Sequence, residues 1–400
     1  MRATGDQTYI KNLNRSIVLN LLRFHSPLSR VEISRQTGLT KATVSGIIEQ
    51  LIQEQYVLED GLLQSTGVGR KPVPLRFNPG AGHVIGVDVG VDYFRVLVMD
   101  LSCRVLNTYE DAIADTESAD ETYHKMVDII KIAVHAASHS PLGVIGVGVG
   151  IPGLVDSTRG VILNAPNLHW KDIPLRSMLE GELGLPIFIE NEANVGAIGE
   201  QLFGAGRDVS NVVFLSLGRG IGTGIILNDH LIRGQAGIAG EFGHMTIDEN
   251  GPECSCGNRG CLELYASETA VIRHYKKLTN LSVSFKNIIK RLEEGDENAK
   301  KAVESAAHYL GVGLASLVNA LNPALILVSS RFASAEQEVI STVAEVISGR
   351  SFIAPYSPAR VQTSQFGSSS CGIGAGALAL QAHFSGPESS PLVVSAWSKS

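Results

Sequence analysis

The chain has 400 residues, 44% hydrophobic and 18% charged, with a net charge of −7, a composition that excludes wholesale disorder and supplies two or three buried cores. No apolar run reaches the roughly 18–20 residues of a membrane span, and "MRATGDQTYIKNLNRS" has no apolar signal core, so the expectation is a cytoplasmic protein that does not engage a membrane. Cys103, Cys254, Cys256, Cys261 and Cys371 are too few and too unevenly spread for a disulfide framework, in keeping with a reducing compartment.

Charge divides the chain before any element is assigned. Residues 1–80 hold ten Lys/Arg against six Asp/Glu, a net of +4, which leaves −11 on the remaining 320. A basic end on an acidic body suggests a nucleic-acid surface joined to a domain with another task. In "NRSIVLNLLRF", Ile17, Val18, Leu21 and Leu22 recur at helical spacing. Ser29 and Glu32 in "SRVE" predict a capping box for a second helix, which Gly38 ends. Thr40 then caps a third, "KATVSGIIEQLIQEQ", with Val44, Ile47, Ile48, Leu51 and Ile52 on one face and Lys41, Thr43 and Ser45 free on the other. Two short helices around a glycine turn read as helix-turn-helix. "YVLEDGLLQSTGVGRKPVPLRFN" follows as two strand-like runs flanking a loop with Arg70 and Lys71, which is a wing. Thr40, Lys41, Thr43 and Ser45 are the candidates for the major groove, and Arg70 with Lys71 for phosphates or a minor groove. The alternative for such a unit is protein packing alone.

From residue 83 the texture changes to β-branched runs and glycines. "HVIGVDVGVDYFRVLVMDL" predicts two strands with Asp88 and Gly90 at the bend. A comparable unit returns at "NVVFLSLGRGIGTGIILNDHLI", with Gly218, Gly220, Gly222 and Gly224 in the turn and early second strand, which suggests two related halves. Strands at "VIGVGVGIP" and "PIFIEN" and helices over 120–138, 192–203, 297–321 and 371–383 make the body α/β. Glycine turns suit a nucleotide phosphate, so a sugar kinase is one reading, and close strand packing is the other. Asn191, Glu192, Glu241, His244 and Glu263 are polar groups of the kind that hold adjacent sugar hydroxyls, if the fold brings them together; as isolated residues they read equally as caps and surface charges. "EFGHMTIDENGPECSCGNRGCLE" packs three cysteines and a histidine into residues 241–263, which implies a metal acting as sensor, catalyst or scaffold. Residues 386–400 are rich in Ser and Pro and read as a mobile tail.

Almost the whole chain resembles one family. "DVGVDYF", "IPGLVD", "NAPNLHW", "IENEANVGAIGE", "GRGIGTGIIL", "GQAGIAGEFGH" and "CSCGNRGCLELYAS" fall in the order and spacing of the ROK family of bacterial repressors and sugar kinases. With a winged helix in front, the chain looks like the repressor branch, and most like its xylose-operon members. The resemblance implies a winged helix-turn-helix over 1–80 and an actin-like and hexokinase-like body of two α/β lobes over 81–385, with a sugar cleft between them. It adds Asn167 to the sugar-binding set. It also implies one structural zinc held by His244, Cys254, Cys256 and Cys261, in a loop over 244–261. Three thiolates and an imidazole fill a tetrahedral zinc and leave no place for water, so this metal is expected to pin the loop that carries Glu241 and Glu263. His244 would serve both the metal and a sugar hydroxyl.

The kinase branch has Asp-x-Gly-Gly-Thr in its first hairpin, Gly-Thr-Gly in the second and an aspartate base in Glu-Asn-Asp. Here Val91 and Asp92 stand in place of the Gly and Thr, Arg219 replaces the second threonine, Glu192 holds the base position, and Ser329 and Ser330 replace a glycine pair near the adenine. The expectation is therefore a repressor with no catalytic residues, bound to palindromic operator DNA as a dimer or tetramer and released by a sugar inducer, with xylose favoured. A kinase that retains a DNA-binding domain is the alternative.

Overall fold

The computed structural model describes residues 7–59, 73–114, 116–137 and 139–385. Its N-terminal unit is α1 (Gln7–His25), α2 (Arg30–Thr37), α3 (Lys41–Gln53) and an antiparallel pair, β1 (Val57–Glu59) and β2 (Leu75–Phe77). The local signals hold. The Ser29 hydroxyl accepts from the Glu32 N–H while the Glu32 carboxylate accepts from the Ser29 N–H, Gly38 ends α2 at φ 71°, and Thr40 caps α3. Val18, Leu22, Ile33, Val44, Ile48 and Leu51 close the core of this unit. Residues 60–72, with Arg70 and Lys71, and residues 386–400 lie outside the described residues.

The body has two lobes of the same strand order. Lobe I holds β3 (His83–Val89), β4 (Tyr93–Asp100), β5 (Val105–Ala112), α4 (Ala119–Ala137) and β6 (Val144–Ile151). A small sheet follows, β7 (Leu154–Asp156), β8 (Val161–Ala165) and β9 (Trp170–Ile173), then α5 (Leu175–Leu183) and β10 (Ile187–Asn191). Helix α6 (Glu192–Phe203) crosses to lobe II, which holds β11 (Val212–Leu217), β12 (Ile221–Leu227), β13 (His230–Leu231), α7 (Glu263–Ala266), α8 (Glu268–Thr279), α9 (Phe285–Glu293), α10 (Glu297–Leu321), β14 (Leu325–Ser330), α11 (Glu336–Arg350) and β15 (Arg360–Thr363). Helix α12 (Ser370–Phe384) crosses back. The main sheets run β5-β4-β3-β6-β10 and β13-β12-β11-β14-β15, each an antiparallel meander followed by two parallel strands. Two related halves are therefore present. One local expectation needs correction: Asp88 is inside β3 and 1% exposed, and the bend is Gly90–Asp92. A carboxylate two residues before a turn alternates inward with the pleat.

The layers explain the glycines. Helices α4 and α5 cover the outer face of the first sheet, and α8 to α11 cover the second. Between the sheets lie α12, which follows lobe II but packs on lobe I, and α6, which follows lobe I but packs on lobe II. Backbones meet where side chains are absent. A Cβ on Gly148 of β6 would fall on the Ala375 carbonyl of α12, and one on Gly374 would fall on the Val195 carbonyl of α6.

Gly148→Ala is accordingly expected to destabilise the body by about 1–3 kcal/mol or more, because backbone lies on both sides of the contact. Gly181→Ala is the control. A Cβ there meets nothing within 4 Å inside α5, so it should be neutral or stabilising by up to about 1 kcal/mol. Denaturant unfolding of the two variants checks both signs.

Candidate functional site

The lobes enclose a cavity of about 560 Å³. Asn167, Asn191, Glu192, Glu241, His244 and Glu263 all line it. Each comes from a different kind of support. Asn191 ends β10 and caps α6, where its side-chain oxygen accepts from the Ala193 and Asn194 N–H groups at 2.9 and 3.2 Å and its amide donates to the Gly153 carbonyl at 3.0 Å. The capping reading of Asn191 is thus correct, and cap and cavity wall are the same residue. Glu192 is the first residue of α6, Glu263 the first of α7, and Asn167 sits exposed on a short turn after β8.

Glu192 is partly buried, and its carboxyl is pushed up to about 8. Withdrawal from water does most of this, the neighbouring Asp88 adds to it, a hydrogen bond with Ser216 opposes it, and Glu241 adds again. Asp88 itself is raised to about 6 by burial, against a hydrogen bond from the Tyr93 hydroxyl at 3.0 Å and the Arg95 charge at 3.9 Å. Neither Tyr93, Arg95 nor Ser216 was singled out from the sequence. Their only signal was membership of the two glycine hairpins.

The four expected metal ligands converge. The donor atoms of His244, Cys254, Cys256 and Cys261 all lie within 4.8 Å of one another. A tetrahedral zinc, with Zn–S about 2.3 Å and Zn–N about 2.0 Å, requires S–S edges near 3.8 Å and N–S edges near 3.5 Å. The Cys256–Cys261 sulfur separation is 3.7 Å and the His244 Nδ1–Cys254 Sγ separation 3.5 Å, so the donor set fits. His244 Nε2 faces away from the thiols and lies 4.0 Å from Glu241. Glu263 stands beside the cluster, 3.1 Å from Cys254 Sγ and 3.4 Å from His244 Nδ1.

The opposite end of the cavity is crossed by charge. Arg219 of the β11–β12 turn and Arg331 after β14 face Asp92 of the β3–β4 turn at 3.7 and 3.6 Å, from lobe II to lobe I. Arg331 also donates two hydrogen bonds, both 2.8 Å, to the buried Glu268. Ser329 and Ser330 line this end, the first donating to the Gly367 carbonyl and the second to Glu336. The cations nearest Asp92 therefore already hold carboxylates of the protein. Arg331 and Glu268 lie 63 residues apart, and nothing local marked them as partners.

At the second candidate surface, Thr40, Lys41 and Thr43 are exposed at the start of α3, and the Thr40 and Thr43 hydroxyls are 2.9 Å apart. Ser45 is half-buried, so it is less free than its sequence position suggested, because it sits beside the buried Val44 face.

Residues 84–382 match the model of the ROK family, and residues 18–61 match that of the IclR helix-turn-helix domain. The chain belongs to the ROK family. It is 40% identical over 346 residues to the xylose repressor of Bacillus spizizenii, covering 86% of this chain and 89% of that one. Among solved ROK structures, a transcriptional regulator described as a homologue of the E. coli MLC protein superposes with a TM-score of 0.80 at 27% identity, covering 94% and 97% of the two chains. A ROK glucokinase from Streptomyces griseus, solved with glucose and AMPPNP, superposes at 0.68 with 33% identity, covering 75% of this chain and all of that one. No helix among the described residues is long and apolar enough to cross a membrane.

The raised Glu192 carboxyl makes a signed prediction. Unfolded, it ionises at its ordinary 4.5; folded, it keeps its proton up to about 8. Across that window the folded state holds a proton that the unfolded state has released, so stability falls as pH rises and levels off above it. Glu192→Gln should remove this component. The stability of the natural chain relative to the variant is expected to decline from pH 5 to pH 8 in denaturant titrations (the window set by the Glu192 shift).

Proposed function

We propose that this chain is a sugar-responsive transcriptional repressor that binds operator DNA through its winged helix and is released by a sugar held between the lobes. One observation carries the reading: a helix-turn-helix and a ROK body lie in one chain that aligns along 86% of its length with a relative named as a xylose repressor. Asn167, Asn191, Glu192, Glu241, His244 and Glu263 are assigned to the sugar, since carboxylates and amides on several walls of one cavity suit adjacent hydroxyls. The relative's name favours xylose. Thr40, Lys41, Thr43 and Ser45 are assigned to base edges and Arg70 with Lys71 to phosphates. A two-fold dimer that matches a palindromic operator completes the proposal.

Zinc is the metal the donor set suits. His244, Cys254, Cys256 and Cys261 would hold it, and it would supply a fixed cross-link with no position left for a reacting water. The chain's own residues do the rest: Glu241 and Glu263 flank the cluster, and His244 offers its Nε2 to the cavity. The likeness to a glucokinase favours a second reading, a kinase. Against it stand the pairing of Asp88 with Tyr93 and Arg95, and of Asp92 with Arg219 and Arg331, at the end where a nucleotide phosphate would enter.

The test is calorimetric titration of xylose, glucose and other sugars into the purified chain, with DNA affinity measured in parallel. Xylose should bind and weaken DNA binding by about tenfold or more, and ATP with either sugar should give no sugar phosphate. Binding without any effect on DNA sinks the repressor reading, and phosphorylation revives the kinase.

Cys256→Ser should lose the metal, lower the melting temperature and weaken sugar binding together. Elemental analysis, thermal unfolding and calorimetry on one preparation separate these effects. Full sugar affinity in the metal-free protein would refute the scaffold role.

A further inference from the structure

The two crossing helices also connect the lobes. The chain passes between lobes through α6 and α12, and each packs on the lobe it does not follow. Rotation of one lobe against the other must therefore slide α6 along α12 or drag one with the other, and the glycine contacts between them leave no slack. Helix α12 has an unusual reach. Its first turn borders the cavity, where Cys371 lies beside Asp88 and Glu192, and that end is tied to α6 through the Ser370 hydroxyl, which donates to Glu200 at 2.9 Å. Its 15 residues span about 22 Å at 1.5 Å per residue.

The last turn of α12 packs against the N-terminal unit. The Phe384 carbonyl accepts from the Ser16 hydroxyl at 2.7 Å and from the Asn20 amide at 3.0 Å. The Phe384 ring stands edge-on to Tyr56 and Phe77, with centroids 5.9 and 6.0 Å away, and the Arg23 guanidinium lies over it at 5.0 Å. The Tyr56 hydroxyl is hydrogen-bonded to His383 Nε2 at 2.6 Å. Partners come from both α1 and the segment after α3, so the end of α12 is gripped by the framework that orients the recognition helix. Phe384 is 3% exposed, and a group this enclosed cannot shift without moving its neighbours.

We propose that α12 is the strut that carries the state of the cavity to the DNA-binding unit, and that the joint of Tyr56, His383 and Phe384 with α1 is where coupling is made. This rests on the repressor reading and specifies its route. A ligand that favours one lobe angle changes the position of the α12 end only by its differential affinity for the two angles, and the joint passes that difference on. Phe384 and Tyr56 are positioning residues, since they touch neither cavity nor base edges. Their removal should spare both ligands' own contacts and erase the linkage between them.

The experiment uses the full chain, D-xylose with D-glucose in parallel, and a duplex enriched by the natural chain from a random-sequence library. The natural chain should lose DNA affinity about tenfold or more with sugar, and hydrogen exchange should change at residues 16–23 and 380–384. Tyr56→Phe and Phe384→Leu together should keep sugar affinity within about twofold and reduce the DNA response to about threefold or less. A double variant with an undiminished response overturns the strut, as does a natural chain that releases DNA with no exchange change at either segment. Should neither sugar alter DNA affinity in the natural chain, the repressor reading falls and takes the strut with it.

Discussion

A buried carboxylate, Glu200, holds the body together at the point where its halves cross. It is fully enclosed near the end of α6 and accepts from the Ala205, Gln365 and Phe366 N–H groups at 3.0, 3.1 and 3.0 Å and from the Ser370 hydroxyl at 2.9 Å. A charge withdrawn from water costs several kcal/mol unless its oxygens are saturated, so the three segments that supply these donors have one arrangement available. That arrangement sets α12 against α6 and brings the chain back from lobe II to lobe I. The cavity, the meeting of the lobes and the seat of the helix-turn-helix unit all follow from it.

The two ends of the cavity differ in what they hold. At one, a His/Cys₃ cluster with zinc-like spacing sits in a loop that has little regular structure of its own, and two carboxylates stand beside it. At the other, arginines from lobe II meet Asp92 of lobe I, and Asp88 is enclosed by Tyr93 and Arg95. The ion pairs of Asp92, long and at partly exposed groups, contribute modestly to stability. Their larger consequence is occupancy: Arg219 and Arg331 of lobe II already face a carboxylate of lobe I.

Much was legible in contiguous residues. The capping box of Ser29 and Glu32, the Gly38 stop and the Thr40 cap were readable because each is completed within four residues. The doubled glycine hairpins announced two related halves, and three cysteines with a histidine inside residues 241–263 announced a metal-ligand cluster. Five of the sugar candidates were readable as residue types and the sixth, Asn167, came from the family resemblance; all six line one cavity. Asp88 was placed at a turn when it is inside a strand, since the bend could be located only to within two residues. Ser45 was read as free when it is half-buried, because helical periodicity gives the direction of a side chain but not how far its neighbours extend.

By itself the sequence determined the helix-turn-helix and the α/β body, both consequences of short-range spacing and hydrogen bonding. Tertiary structure alone decided the partners: Arg331 with Glu268 and Asp92, Glu200 with the loop before α12, and Phe384 with α1. Such pairs are chosen by how layers stack, and stacking depends on backbone contacts at glycines such as Gly148 and Gly374. A glycine in sequence states that a side chain is absent; only the folded chain states which backbone comes to fill the space.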